Sequence, residues 1–256
     1  MSNVEDRSEA VRSQMLVDGY YADPAQRLTT IRALFNRTAR YYDGVNSLFS
    51  LGSGAWYRRT RLRRAGVRPG VQVVDVAVGT GALAREAMRL TGGNGAVIGV
   101  DVSEEMLAIA QRKLGIPLIQ ATAEALPLAS ASADYVTMGY ALRHVADLKA
   151  AFREALRVLR PGGRVELLEI SAPRNKVSRA FAAVFIGVVL PVLSLLMTRD
   201  RRSSTLMRYH WETIVKYMPP ETVLSVMRES GFANVSRFSD FDLFHHYSGQ
   251  KPKDTE

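Results

Sequence analysis

Between Val71 and Ile170 the apolar positions of this chain alternate between two patterns. Short runs rich in β-branched residues are followed by stretches whose apolar side chains recur every three or four positions. The short runs predict strands at Val73–Val76, Ala96–Val100, Pro117–Gln120, Asp134–Met138 and Arg164–Ile170. The periodic stretches predict helices at Ala82–Leu90, Ser103–Lys113 and Asp147–Arg160. Such a rhythm buries strands on both faces and implies an α/β fold built on a doubly wound, mostly parallel sheet. Asp147 is placed to cap the last of these helices, whose Leu148, Phe152, Leu156 and Leu159 share a face, and Pro161-Gly162-Gly163 to end it. Residues 1 to 30 read as weakly ordered or helical. From Ile31 to Val67 aromatic and apolar residues at helical spacing, broken at Gly44 and near Gly52, predict an N-terminal helical cap. Beyond the core, Pro220 opens a helix that Gly231 ends. The alternating stretch from Ser236 to Pro252 then predicts a C-terminal antiparallel strand pair, with His245, His246 and Tyr247 on an edge strand. The chain thus divides into one domain of four parts: cap (1–68), core (69–172), apolar segment and helix (173–230), and closing strands (231–256).

The segment from Ala180 to Met197 carries no charge and has arginines on both sides. Its length permits a membrane span. Pro191 inside it and its position between sheet strands argue instead for a lid helix over an apolar substrate, or for a helix dipping into a membrane interface. Either reading implies a hydrophobic small-molecule substrate.

The stretch VVDVAVGTG, Val73 to Gly81, followed by VIGVDVS, Val97 to Ser103, adds chemistry to the pattern. Each piece is an apolar run ending in a carboxylate, as in buried parallel strands with working residues at their carboxyl ends, and marks the sheet as Rossmann-like. Gly79 and Gly81 allow the backbone to turn tightly and approach a ligand. Gly79, Gly81 and Ala84 also satisfy the dinucleotide fingerprint, with Asp101 placed for ribose hydroxyls, so a nicotinamide oxidoreductase stands as an alternative. Asp75 opposes it, because a carboxylate there would repel a pyrophosphate. S-adenosylmethionine, which has an ammonium and a sulfonium but no phosphate, suits Asp75 at its amino-acid end and Asp101 at its ribose.

The chain has 256 residues, no cysteine and a formal net charge of +9. Disulfides and thiolate chemistry are excluded, and the four histidines lack metal-ligand spacing, so no metal is expected. The polar opening lacks the apolar core of a secretory signal, which points to the cytoplasm. The basic residues concentrate at Arg58, Arg59, Arg61, Arg63, Arg64 and Arg68 and again at Arg199, Arg201 and Arg202. No stacking aromatics are interleaved as in nucleic-acid binders, so the expected partner is an anionic membrane surface, contacted peripherally; a merely solvated basic face is the alternative. Homo-oligomerisation is left open.

With these residues in place the chain resembles the class I S-adenosylmethionine-dependent methyltransferases, and within them the ubiquinone and menaquinone biosynthesis C-methyltransferases. The resemblance starts at FNRTARYYDGVNSLFSLG, through Phe35, Ala39, Tyr42, Asp43 and Asn46. It continues through DVAVGTG, GVDVSEEML, ATAEALPL, YALRHV and LRVLRPGGRVELLEIS, and ends at ESGFANV. It implies that Gly79, Thr80 and Gly81 line the methionine end of the cofactor, Asp101 and Val102 its ribose, Thr122 and Ala123 its adenine, and Gly139 the wall near the sulfonium. The chain departs from the family at Val78 (usually glycine), Thr122 (asparagine) and Gly139 (often serine), departures expected to reshape the cofactor rim, and at His144 (asparagine), a departure expected to change the chemistry. TRDRRS, from Thr198 to Ser203, replaces an acidic loop.

C-methylation of a quinol needs a ring hydroxyl to give up its proton. Arg143 and His144, after the strand ending at Met138, are the candidates: Arg143 to stabilise a phenolate, His144 to take the proton or order a water that does. Tyr42 would close over the methyl group, and Glu124 would shape the adenine loop. Three alternatives stand beside this reading. One is a methyltransferase for another hydrophobic acceptor, an isoprenoid diphosphate or phospholipid among them, if the arginines near 200 face the pocket. The others are the oxidoreductase and a catalytically silent cofactor-binding subunit.

Overall fold

The computed structural model describes residues 27–50, 52–92 and 97–253; most of the first thirty positions lie outside them. Two helices, α1 (Arg27–Phe49) and α2 (Gly54–Ala65), precede β1 (Val73–Val76), α3 (Ala82–Thr91), β2 (Val97–Asp101), α4 (Glu104–Leu114), β3 (Leu118–Gln120) and β4 (Ala133–Gly139). A single 3-10 turn (Leu142–His144) leads to α5 (Leu148–Val158) and β5 (Leu159–Ile170). Then come α6 (Lys176–Val184), a π-helical turn (Phe185–Val189), α7 (Leu190–Thr198), α8 (Arg201–Lys216), α9 (Pro220–Glu229), β6 (Ala233–Asp240) and β7 (Phe244–Gln250).

The seven strands form one sheet in the order β3-β2-β1-β4-β5-β7-β6. The first five are parallel, and β7 runs antiparallel to both β5 and β6. Side chains alternate across the sheet as the strand period requires. Val74, Val136 and Leu167 pack under α5 and α9 against Leu148, Phe152, Val223 and Met227. Val73, Val97 and Leu168 pack on the other face against Leu62, Leu83 and Leu114 of α2, α3 and α4. The order reverses between β1 and β4, which opens a crevice at their carboxyl ends, the usual ligand position in such sheets.

Helix starts follow the expected chemistry: the Ser103 hydroxyl accepts from the Met106 amide at 3.2 Å and the Asp147 carboxylate from the Ala150 amide at 3.0 Å. Three expectations change. Leu159 begins β5 instead of ending α5, and the Pro161-Gly162-Gly163 step is absorbed as an irregularity between the β4 and β5 registers. The strand carrying His245 and His246 is interior, because β7 sits between β5 and β6; His245 is buried and meets Ser171 Oγ at 2.6 Å, and His246 meets Glu166 at 2.6 Å. Finally, α1 runs straight through Gly44. A Cβ at Gly44 would touch nothing within 4 Å. Gly44→Ala is therefore expected to stabilise the protein by about 0.5–1 kcal/mol through reduced unfolded-state entropy, measured as a higher midpoint in urea.

Around Pro191 the helix takes its π turn, Phe185–Val189, immediately upstream, where the ring would otherwise clash with the preceding turn. Gly187 brings this turn against α8: a Cβ there would stand 3.0 Å from the Trp211 ring.

Candidate functional site

The turn after β1 is built from left-handed residues: Ala77 at φ 55°, Gly79 at φ 56° and Gly81 at φ 88°. A non-glycine residue in this region is strained, and such strain concentrates at working sites. The turn is held by Val78 N–H on Val100 O at 2.9 Å and Gly79 N–H on Asp101 Oδ2 at 2.8 Å, while Ser103 N–H donates to Asp101 Oδ1 at 2.9 Å. Burial pushes the Asp101 carboxyl up, and these amides pull it back.

Beside this turn lies a cleft of about 310 Å³ at the carboxyl ends of β1, β2 and β4. Gly79, Asp101, Val102, Thr122, Ala123, Gly139, Tyr42 and His144 all border it, and Glu124 fixes its far loop by accepting from the Ala146 and Asp147 amides at 2.8 and 3.2 Å. Helix α1 closes it from above: Asn36 Oδ1 accepts from the Ser103 hydroxyl at 2.6 Å, Arg32 pairs with Glu104, and Asp43 joins Lys113 to Thr80.

Three expected contact residues stand behind the cleft wall. The Thr80 hydroxyl is committed to Asp43 at 2.5 Å. Gly81 serves packing, because a Cβ there would stand 2.4 Å from Leu114 Cδ1. Asp75 is 1% exposed; its Oδ1 accepts from Thr137 at 2.7 Å, its Oδ2 has no hydrogen-bond partner among the described residues, and burial pushes its pKa up to about 7. Val78 does not touch the rim: it is buried in the core behind the turn, and Gly99 makes room for it, since a Cβ at 99 would meet Val78 at 3.0 Å.

A second chamber of about 430 Å³ adjoins the first, and Tyr42 and Tyr140 border both. Tyr140 is the residue that sequence reasoning passed over. It follows β4 at φ 61°, donates its amide to Leu168 O at 2.6 Å, and burial pushes its hydroxyl up to about 12. Apolar walls come from Trp56, Ile170, Ile214, Phe241 and Phe244, and the polar groups include Arg58, Arg64, Arg143, Asn46, His210 and Arg61, the last paired with the chamber's carboxylate Asp240. None of residues 176–198 borders this chamber, so the apolar segment is not its lid.

The 3-10 turn sends consecutive side chains to different places. Arg143 faces the second chamber, buried, with Nη1 on Glu169 Oε1 at 2.5 Å and Nε on Thr213 Oγ1 at 3.2 Å. Burial pushes the Glu169 carboxyl up and the Arg143 charge opposes it. His144 faces the first cleft, its Nδ1 2.9 Å from the Tyr209 hydroxyl, its ring stacked on Tyr209 and edged by Phe35. The histidine in the second chamber is His210. Its Nδ1 lies 2.8 Å from Leu206 O, an acceptor only, so the ring donates there, and in its neutral form the lone pair is on Nε2. Burial, aided by nearby Arg143, pushes its pKa down to about 3.

Residues 24–242 match the model of the ubiE/COQ5 methyltransferase family. The chain belongs to this family. It is 35% identical over 221 residues to the ubiquinone/menaquinone biosynthesis C-methyltransferase UbiE of Hahella chejuensis, covering 83% of this chain and 88% of that one. With the Pseudomonas putida F1 protein of the same name it shares 37% over 227 residues, covering 85% and 87%. Among solved structures, a Thermotoga maritima S-adenosylmethionine-dependent methyltransferase superposes with a TM-score of 0.60 at 20% identity, covering 86% of this chain and 99% of that one. A Haemonchus contortus phosphoethanolamine N-methyltransferase solved with S-adenosylhomocysteine gives 0.62 at 18%, covering 87% and 60%. These distant likenesses confirm the fold.

The protein is an S-adenosylmethionine-dependent methyltransferase, and the first cleft fits that cofactor. Asp101 keeps lone pairs for ribose hydroxyls beyond its two amide donors. Gly79 leaves its backbone open, a Cβ there meeting only Tyr42 at 4.0 Å. The orphaned buried oxygen of Asp75 lies one residue from Val76 and two from Ala77, which line the cleft, and suits a cationic ligand. The oxidoreductase alternative falls with the family assignment.

Proposed function

We propose that the second chamber receives a prenylated quinol or a similar apolar aromatic and that the protein methylates one of its ring carbons in quinone biosynthesis. The observation that carries this reading is the chamber itself: an apolar slot, joined to the cofactor cleft past Tyr42 and Tyr140, with two buried arginines, Arg61 paired with Asp240 and Arg143 with Glu169, and one histidine whose pKa burial holds low. S-adenosylmethionine supplies the electrophilic methyl group. The chain's own residues position the acceptor and stabilise its anion. An acceptor hydroxyl can donate a hydrogen bond to His210 Nε2, which orients it; that weakly basic ring does not keep the proton, which passes to bulk solvent, and Arg143, held in place by Glu169 and Thr213, stabilises the oxyanion left behind. Electron density then rises on the ring carbon. Tyr42, Tyr140 and Phe244 keep water from the reacting face.

A second reading has its own observation. The arginines near 200 do not border the chamber, but Arg58 and Arg64 of α2 do, and they would favour an acceptor bearing an anionic group. One experiment tests both: incubation of the purified protein with methyl-labelled S-adenosylmethionine and a lipid extract from cells lacking it, the label being located by mass spectrometry. Label on a quinone ring carbon is the expected result. Label confined to an acidic lipid would replace the first reading by the second. Tight cofactor binding with no label in any lipid would reject both and support the silent subunit.

A further inference from the structure

Residues 176–198 form an apolar helical run, whose most apolar 18-residue window has mean hydropathy 2.6 and is only 28% buried. Its two faces are sorted. Ala182, Ile186, Leu190 and Ser194, four residues apart, are buried, and the first three pack in the cluster that includes Val45 of α1 with Leu206 and Met207 of α8. Val177, Phe181, Val184, Val188, Val192 and Leu196, also three or four apart, are exposed, Phe181 at 70% and Leu196 at 67%. An exposed apolar stripe of this length, unlike single scattered apolar residues, marks an interaction surface. Cations bracket it: Lys176 and Arg179 are exposed at one end, Arg199, Arg201 and Arg202 at the other.

We infer that this stripe docks on the surface of a bilayer rich in anionic phospholipid, the run lying in the interface plane with its basic ends at the headgroups. Charge complementarity selects this occupant, because an apolar face capped by five cations on a chain of net charge +9 matches anionic lipid better than a second copy of the same basic surface. The buried face packs on α1, α8 and Leu243, which holds the run against the domain instead of across the membrane.

The position of the stripe gives the docking a purpose, which rests on the apolar-acceptor reading. The cluster under it includes Leu48 of α1 and Leu243 of the β6–β7 turn. The same two segments supply Asn46, Ser50, Phe241 and Phe244 to the second chamber. Trp56 and Phe241 border that chamber and are 68% and 88% exposed, an apolar rim at its mouth. The stripe and the chamber thus share α1 and the β6–β7 turn, which puts a docked bilayer near the chamber that a lipid-tailed acceptor would enter.

The test is sedimentation of the full chain with phosphatidylglycerol-containing vesicles and with pure phosphatidylcholine vesicles, at low and high salt. The wild type is expected to bind the anionic vesicles at low salt and to be released at high salt. The triple substitution Phe181→Gln, Val184→Gln, Val188→Gln, at exposed positions outside both cavities, is expected to bind at least about tenfold more weakly with an unchanged melting temperature. Lys176→Gln, Arg179→Gln, Arg199→Gln is expected to lose the preference for anionic lipid. On a short-tailed, water-soluble quinol both variants should turn over like the wild type, and on a vesicle-embedded long-tailed one both should slow. Absence of wild-type binding at low salt, or binding indifferent to the apolar triple, overturns the inference. So does a dimer in ultracentrifugation that the apolar triple dissociates. Vesicle binding without turnover of any quinol would leave the docking standing and reject the quinol reading.

Discussion

Replacing Arg143 by methionine is expected to lower kcat by about a thousandfold while S-adenosylmethionine affinity stays within about twofold. The rate effect is the size found when a preorganised charge facing a developing oxyanion is removed. The affinity is spared because Arg143 borders the second chamber and not the cofactor cleft. The single substitution carries a folding penalty as well, since it strands the fully buried Glu169 without its partner, and breaking a buried pair in that way costs about 3–5 kcal/mol. Arg143→Met combined with Glu169→Gln removes the charge mismatch and separates the two effects. It should restore most of the stability and none of the rate. Recovery of kcat in the double variant would mean that Arg143 acts only as a structural partner of Glu169. His210→Leu is expected to lower kcat by about a hundredfold by a different route, the loss of the nitrogen that orients the acceptor hydroxyl. With its pKa near 3, His210 stays neutral from pH 5 to 8, so the wild-type kcat/KM should show no limb from it in that range. An acidic limb near pH 6 that disappears in His210→Leu would overturn this assignment.

Asp75→Asn is expected to stabilise the cofactor-free protein at pH 8 by up to about 4 kcal/mol and to weaken cofactor binding. The carboxyl rises from 3.8 to about 7 on folding because burial outweighs the Thr137 hydroxyl and the weaker pull of the Ala84 amide, which favour its charged form. Between these two values the folded chain holds a proton that the unfolded chain has released, so stability falls as pH rises from about 4 to 7 and stays lowered above. Roughly three pKa units at about 1.4 kcal/mol each set the upper bound. Asparagine keeps the carbonyl that accepts from Thr137 and has nothing to titrate. Urea unfolding at pH 5 and pH 8 should show the wild type losing ground relative to the variant; parallel stabilities at the two pH values would show that Asp75 is not titrating in the fold. The destabilising charge is what a ligand with an ammonium group would favour, a trade of stability for binding common at working sites.

The elements of the core were legible because both strand faces are buried and each helix has one apolar stripe, so local patterns carried the global order. Strand Val73–Val76 matches residue for residue, and the caps Ser103 and Asp147 do what their side chains dictate. The cofactor turn was legible for the same reason: glycines at positive φ and a carboxylate at a strand end are local requirements. What the local pattern could not carry were distances across the sheet. Nothing along the chain says that Thr80 spends its hydroxyl on Asp43, or that Gly99 accommodates Val78. Nor does it place β7 inside the sheet, because an antiparallel insertion leaves the same alternation as an edge strand.

The sequence by itself determined the parallel α/β core, the cofactor turn, the family and hence the reaction, since each rests on residues near one another in the chain. Only the tertiary structure decided that Arg143 and His144 face different cavities, that His210 is the histidine beside the acceptor chamber, and that residues 176–198 expose their apolar stripe instead of roofing that chamber. Each of these depends on which face of an element meets a neighbour distant in sequence. Hydrophobic burial, being non-directional, leaves that choice to the packing of the whole chain.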